Sequence, residues 1–148
     1  MNPIQAGFNR IELLVMIASF GILTAVMVGM VVIPMYQSAQ LRPKFAAVIN
    51  ATEPYKATIE ICARFGPCAK SGALSGLQEG TLGIPDTTSG PYLASVRVAS
   101  NGTITATATK VEGLAGETYV LTPTFTKNAP ITWAVSGTCK TRPGWAIC

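Results

Sequence analysis

The sequence predicts an α+β protein in which a long hydrophobic N-terminal helix packs on a four-stranded antiparallel sheet. Three observations carry this expectation. Residues 13–35 form a run of 23 positions without a charge. Apolar residues then recur at helical spacing to about residue 63. After residue 91 four short runs alternate in the manner of strands.

The charge-free run comes first. At ~1.5 Å per residue it makes about 35 Å of helix, enough to cross a hydrocarbon core of ~30 Å. A secretory signal would have a shorter apolar core and a small-x-small cleavage pattern after it. Here Pro34, Tyr36 and a continuing helical pattern follow instead, so the run is expected to remain as an anchor. Arg10 and Glu12 stand at its mouth. A charged side chain costs about 2.5 to 3.5 kcal/mol at mid-bilayer on the milder scales, so Glu12 is expected to have a partner or a function. One candidate partner is Arg10, in a surface pair worth little.

The stripe Leu41, Phe45, Val48, Thr52, Tyr55, Ile59 and Cys62 follows at steps of three and four, which places these residues on one helix face. The N-terminal helix is therefore expected over residues 8–63. Pro34, Pro43 and Pro54 each lack a backbone donor and should bend it. Gly66-Pro67 ends the pattern, and the glycine-rich stretch 64–91 reads as a connector loop.

Residues 92–148 hold the expected sheet and a C-terminal loop. The strand runs are 92–98, 103–108, 118–125 and 131–135, rich in β-branched and aromatic residues. Asn101-Gly102 between the first two suggests a tight hairpin with both residues at positive φ. Pro123 suggests an edge or a bulge in the third.

Composition limits the chemistry. The chain is 49% hydrophobic and 12% charged, with no histidine and seven carboxylates. An acid-base site needs suitable neighbours, and none is recognisable here, so the chain reads as no enzyme. The net charge is +4, but the basic residues are scattered, which disfavours a dedicated nucleic-acid stripe and leaves weak, salt-sensitive contact with DNA or acidic surfaces. Cys62, Cys68, Cys139 and Cys148 all lie beyond the apolar run. Their spacing is unlike a zinc site, so no metal or cofactor is expected and disulfides are. Four cysteines allow three connectivities, of which near-neighbour pairing is the expectation. Trp133 on an alternating strand should fill the core, whereas Lys140, Arg142 and Trp145, inside the last cysteine loop, are candidates for an adhesive surface.

The stretch Gly7-Phe8-Asn9-Arg10-Ile11-Glu12-Leu13-Leu14 resembles the processing site and N-terminal helix of type IV pilins, the subunits of bacterial surface fibres. Residues 83–85, 114–119 and 131–139 also resemble pilins of Gram-negative bacteria, and the likeness covers essentially the whole chain. Three features depart from the family's pattern: residues 1–7 carry no Lys or Arg, Arg10 takes a normally apolar position, and Pro34 comes late.

The resemblance implies that residues 1–7 are a leader, cut between Gly7 and Phe8 by a prepilin peptidase that also methylates the Phe8 amine. Glu12 would then be the assembly residue, pairing with that amine on a neighbouring subunit. Opposite charges ~4 Å apart are worth about 4 kcal/mol at an effective dielectric of 20, enough to matter beside the desolvation involved. The implied partners are other copies of the chain, the peptidase, the pilus assembly machinery and, before assembly, the inner membrane. The implied product is an extracellular pilus serving adhesion, twitching motility or DNA uptake. Two alternatives stay open: a minor pilin or secretion pseudopilin, and a membrane-anchored surface protein that does not polymerise.

Overall fold

A computed structural model describes residues 9–70, 72–127, 129–143 and 145–148. By compactness the chain divides into two units, residues 1–37 and residues 38–148.

The first unit is helical. Helix α1 runs Arg10–Met27, a π turn occupies Val28–Val32, and helix α2 begins at Ile33. No residue of α1 is buried. Inside the π turn the Ile33 N–H donates to the Val28 carbonyl, five residues back. Pro34, one residue further, has no N–H to offer the ladder, and a wider turn just ahead of it takes up the mismatch.

The second unit is built on the remainder of α2 (Ile33–Asn50) and on α3 (Glu53–Phe65). The break between them is explained by Pro54 in the first turn of α3. Having no N–H, Pro54 cannot donate to Asn50, and the chain tightens there: Thr52 N–H donates to Ile49 O at 3.0 Å and the Thr52 hydroxyl to the same carbonyl at 2.7 Å. Pro43, by contrast, is carried inside α2 without interrupting it. Every member of the stripe Leu41, Phe45, Val48, Thr52, Tyr55, Ile59 and Cys62 is buried. The stripe's members other than Thr52 form one core with Val96, Ile104, Ala106 and Leu121 of the sheet.

The connector after α3 contains an element too short to leave a sequence pattern. Strands β1 (Ala69–Lys70) and β2 (Ala73–Leu74) pair antiparallel, and Leu74, Leu77 and Ile84 of the same stretch reach the core. The main sheet comprises β3 (Leu93–Val98), β4 (Ile104–Ala108), β5 (Thr118–Thr124) and β6 (Thr132–Ser136), antiparallel in the order β3-β4-β5-β6. The α+β architecture is thus the expected one: a long N-terminal helix and a four-stranded antiparallel sheet.

Two details of the sheet differ from expectation. In the β3-β4 connection only Gly102 of the Asn-Gly pair has positive φ, at 85°. Ala99 and Thr103 close the loop, Gly102 N–H returns to Ala99 O at 2.8 Å, and the Asn101 side chain accepts from Thr103 N–H at 3.0 Å. This is a three-residue loop with glycine in the left-handed position, a common alternative to the two-residue turn. Gly102 is also crowded, since a Cβ there would lie 3.1 Å from side-chain carbons of Leu74, Leu77 and Pro123. Secondly, β5 is an interior strand, yet Pro123 lies past the last β4 pair, Ile104 with Leu121, and faces only Trp133 of β6. The proline therefore sits where the strand has one neighbour.

Candidate functional site

Glu12 occupies the third position of α1, behind the N-cap Asn9, whose φ and ψ of −61° and 139° are extended. The Asn9 N–H donates to Glu12 Oε2 at 3.3 Å, so the carboxylate closes the start of its own helix. Arg10 is not its partner: among the described residues the ion pairs join Lys44 to Glu112, Lys56 to Glu53 and Arg142 to Glu117. Residues two apart on a helix point to different sides, which explains it. The proposed cut between Gly7 and Phe8 lies outside the described residues.

Beyond Glu12 the helix presents hydrocarbon on all sides. Leu14 is 65% exposed and Phe20 70%. The hydroxyls of Ser19 and Thr24 fold back onto the carbonyls of Met16 and Phe20, at 3.0 and 3.1 Å, and so offer nothing polar outward. Its most apolar window has a mean hydropathy of 2.4 and is wholly unburied, and the helix is long and apolar enough to cross a membrane. A helix apolar all round is stable only in lipid or among other apolar helices.

The cysteines pair as near neighbours in the structure. Cys62 joins Cys68, with 5.8 Å between Cα atoms, tying the end of α3 to the chain before β1. Cys139 joins Cys148 at 5.6 Å, linking the short helix α4 (Thr138–Thr141) to the last residue of the sequence. Of the three loop residues singled out from sequence, Trp145 is 48% exposed. Lys140 Nζ donates to Val135 O of β6 at 2.8 Å. Arg142 turns inward, where it donates to Gly113 O at 3.1 Å and its Nε lies 3.4 Å from the buried Glu117.

Sequence reasoning passed over three carboxylates that organise this unit. Glu117 also accepts from Ala115 N–H at 2.8 Å. Glu60 of α3 accepts from the Trp133 indole N–H at 2.8 Å, which fixes β6 to the helix. Glu112, at the tip of the β4-β5 loop, meets Lys44 Nζ at 2.8 Å and Tyr92 Oη at 3.1 Å. The hydrogen bond from Lys44, then that from Tyr92, holds the Glu112 carboxyl below its ordinary value. Burial pushes the Tyr119 phenol up. Among the described residues no group of three or more His, Cys, Asp or Glu could hold a metal ion.

An apolar helix bare on every side, led by one acid and followed by a stapled α+β unit, defines a structural subunit. The family that matches is pilin (bacterial filament), over residues 42–144. The chain is 33% identical over 119 residues to prepilin peptidase-dependent protein D of Escherichia coli, covering 80% of this chain and 73% of that protein. It is 32% identical over 108 residues to the type IV major pilin protein PilE1 of Neisseria gonorrhoeae, covering 72% of this chain and 54% of the relative. With the type IV major fimbrial protein FimA of Dichelobacter nodosus it shares 25% over 148 aligned positions, 92% of this chain and 89% of that protein. The chain belongs to the pilin family. It is a structural subunit that assembles with copies of itself into an extracellular pilus, and the family is one of filament proteins, not enzymes.

Proposed function

We propose that this chain is the major subunit of a type IV pilus, made as an inner-membrane precursor and passed to the pilus assembly machinery. The observation that supports it is the apolar helix α1, without a buried residue and led by Glu12. In this reading a prepilin peptidase cuts between Gly7 and Phe8 and methylates the new amine. The printed name of the E. coli relative, a prepilin peptidase-dependent protein, agrees with that step. The names of the neisserial and Dichelobacter relatives agree with the major-subunit role.

The charges give Glu12 its role. Its bond to Asn9 N–H is long and exposed, so little holds it there. Once the apolar helices exclude water, a cationic Phe8 amine on a neighbouring copy is a far stronger partner, and the pair fixes stagger while the apolar faces supply affinity. The +4 charge gives the fibre surface a weak, salt-sensitive attraction for DNA or acidic host surfaces, with Lys140 and Trp145 of the terminal loop within its reach.

Intact-mass measurement of sheared surface filaments tests the proposal. The expected mass lacks residues 1–7 and carries one added methyl group. Assembled material that retains Met1 would overturn the processing step. Glu12→Ala is expected to be cut and inserted normally but to yield few fibres; unchanged piliation would remove the assembly role. Scarcity of the chain in those filaments would make it a minor subunit.

A further inference from the structure

Between Asn9 and Arg42 the sequence carries two charges, Arg10 and Glu12, both at the start of the apolar run. Residues 1–9 hold no Lys or Arg, so Arg10 is the single basic residue among residues 1–12. It opens helix α1, is exposed, and has no ion-pair partner among the described residues. At the far end of the run stands Tyr36, 66% exposed and the first aromatic residue after Phe20. From Arg10 to Tyr36 the helix rises about 39 Å at ~1.5 Å per residue, close to the ~40–45 Å of a bilayer with its headgroup layers. A guanidinium at one border and an amphipathic ring at the other are side chains that membrane interfaces hold.

The sulfurs say which border is which. All four cysteines lie after the run and pair as Cys62 with Cys68 and Cys139 with Cys148. Disulfides persist in an oxidising compartment, which assigns residues 38–148 to that side of any membrane the run crosses and Arg10 to the other, reducing side. The charges agree independently. Basic residues mark the cytoplasmic flank of a span when the flank is shorter than ~60 residues, whereas long domains cross largely regardless of charge. The unit 38–148 is such a domain, so Arg42 and Lys44 at its head do not count against Arg10. Acidic residues weigh little in this balance, so Glu12 does not cancel it.

We propose that Arg10 is the orientation signal of the membrane precursor. Its guanidinium stays with the lipid phosphates of the cytoplasmic leaflet and commits the run to cross with residues 38–148 outward. Guanidinium holds phosphate through paired, charge-assisted hydrogen bonds, and dragging that group through hydrocarbon is the step it opposes. This role rests on the membrane-precursor reading and is separate from the cut and from fibre assembly.

Two native reporters test it in the full chain, expressed in cells without a prepilin peptidase. An inverted chain keeps its four cysteines reduced, so lysis into a polyethylene-glycol maleimide without reductant adds four tags to it and none to an outward chain. An impermeant amine reagent applied to spheroplasts labels the exposed Lys110 and Lys127 of outward chains only. In the membrane pellet the unaltered chain is expected untagged on sulfur and labelled on those lysines. Arg10→Gln should raise the four-tag, lysine-shielded fraction several-fold. Arg10→Lys should keep the unaltered pattern, and Gln5→Lys should restore it in the Arg10→Gln chain. Where the Arg10→Gln chain is degraded, its recovery by Gln5→Lys decides. Thiols still blocked in Arg10→Gln, free thiols with labelled lysines, or no recovery by Gln5→Lys overturn the role of Arg10 and leave the membrane precursor intact, as would an unaltered chain that is itself inverted. Absence of the unaltered chain from the membrane pellet overturns both.

Discussion

Arg142 of the C-terminal loop places its Nε 3.4 Å from Oε1 of Glu117, a carboxylate only 5% exposed. The same guanidinium group donates to Gly113 O, so one side chain binds the loop before β5 to the segment closed by Cys139 and Cys148. Removing one member leaves the other charge in a dry place, which is worse than never having had the pair. Glu117→Ala is expected to lower stability by about 3 kcal/mol, measured by denaturant unfolding in detergent. Glu117→Leu combined with Arg142→Met should recover most of that loss.

The Trp133 indole and Glu60 offer a milder case. Glu60→Ala strands a half-buried N–H and should cost about 1 to 2 kcal/mol in the same unfolding measurement. Glu60→Gln keeps an acceptor oxygen and should cost little. Trp133 fluorescence reports the change directly, because the alanine variant admits water to the indole.

Glu112 gives a pH dependence of known sign. Its carboxyl is held below its ordinary value by Lys44 and Tyr92, so the folded state binds the proton less readily than the unfolded chain. The resulting stability is present above the ordinary carboxylate value and is lost as pH falls through the lowered one. In Lys44→Met the carboxyl should titrate closer to the ordinary value, as followed by carbon NMR of a labelled side chain. The acid sensitivity of unfolding should shrink with it.

Gly137 tests the backbone between β6 and α4. Its φ is 118°, and a Cβ there would lie within van der Waals overlap of the Thr118 carbonyl oxygen. Gly137→Ala must therefore move β5 or break the pairing beside it, at a cost of about 2 kcal/mol or more. Reduced yield of folded protein and a lower melting temperature are the expected readouts. A serine in place of Thr138 should keep the neighbouring hydroxyl bonds to Thr118 and have little effect.

The stripe from Leu41 to Cys62 was legible because a helix repeats every 3.6 residues and burial selects one face of it. The strands at 93–98 and 104–108 were legible for the corresponding reason at period two. Pairs distant in the chain were not. Trp133 and Glu60 are 73 residues apart, and nothing in either neighbourhood announces the other. Glu117 was one of seven carboxylates and Arg142 a candidate for an adhesive surface, since residue type does not reveal which charged group folding will bury. The two-residue strands β1 and β2 are shorter than any period needs to declare itself. At the N-terminal end the exposed helix was readable from hydropathy alone, whereas the capping role of Glu12 emerged only with the backbone around Asn9.

The order β3-β4-β5-β6 has a kinetic consequence. Each strand bonds to its successor in the chain, so every ladder closes over a short span and little chain entropy is lost before contacts form. The sheet can zip up progressively behind α3 with no wait for a distant segment. Residues 93–136 can therefore complete their ladders before the disulfide between Cys139 and Cys148 closes the segment that follows them.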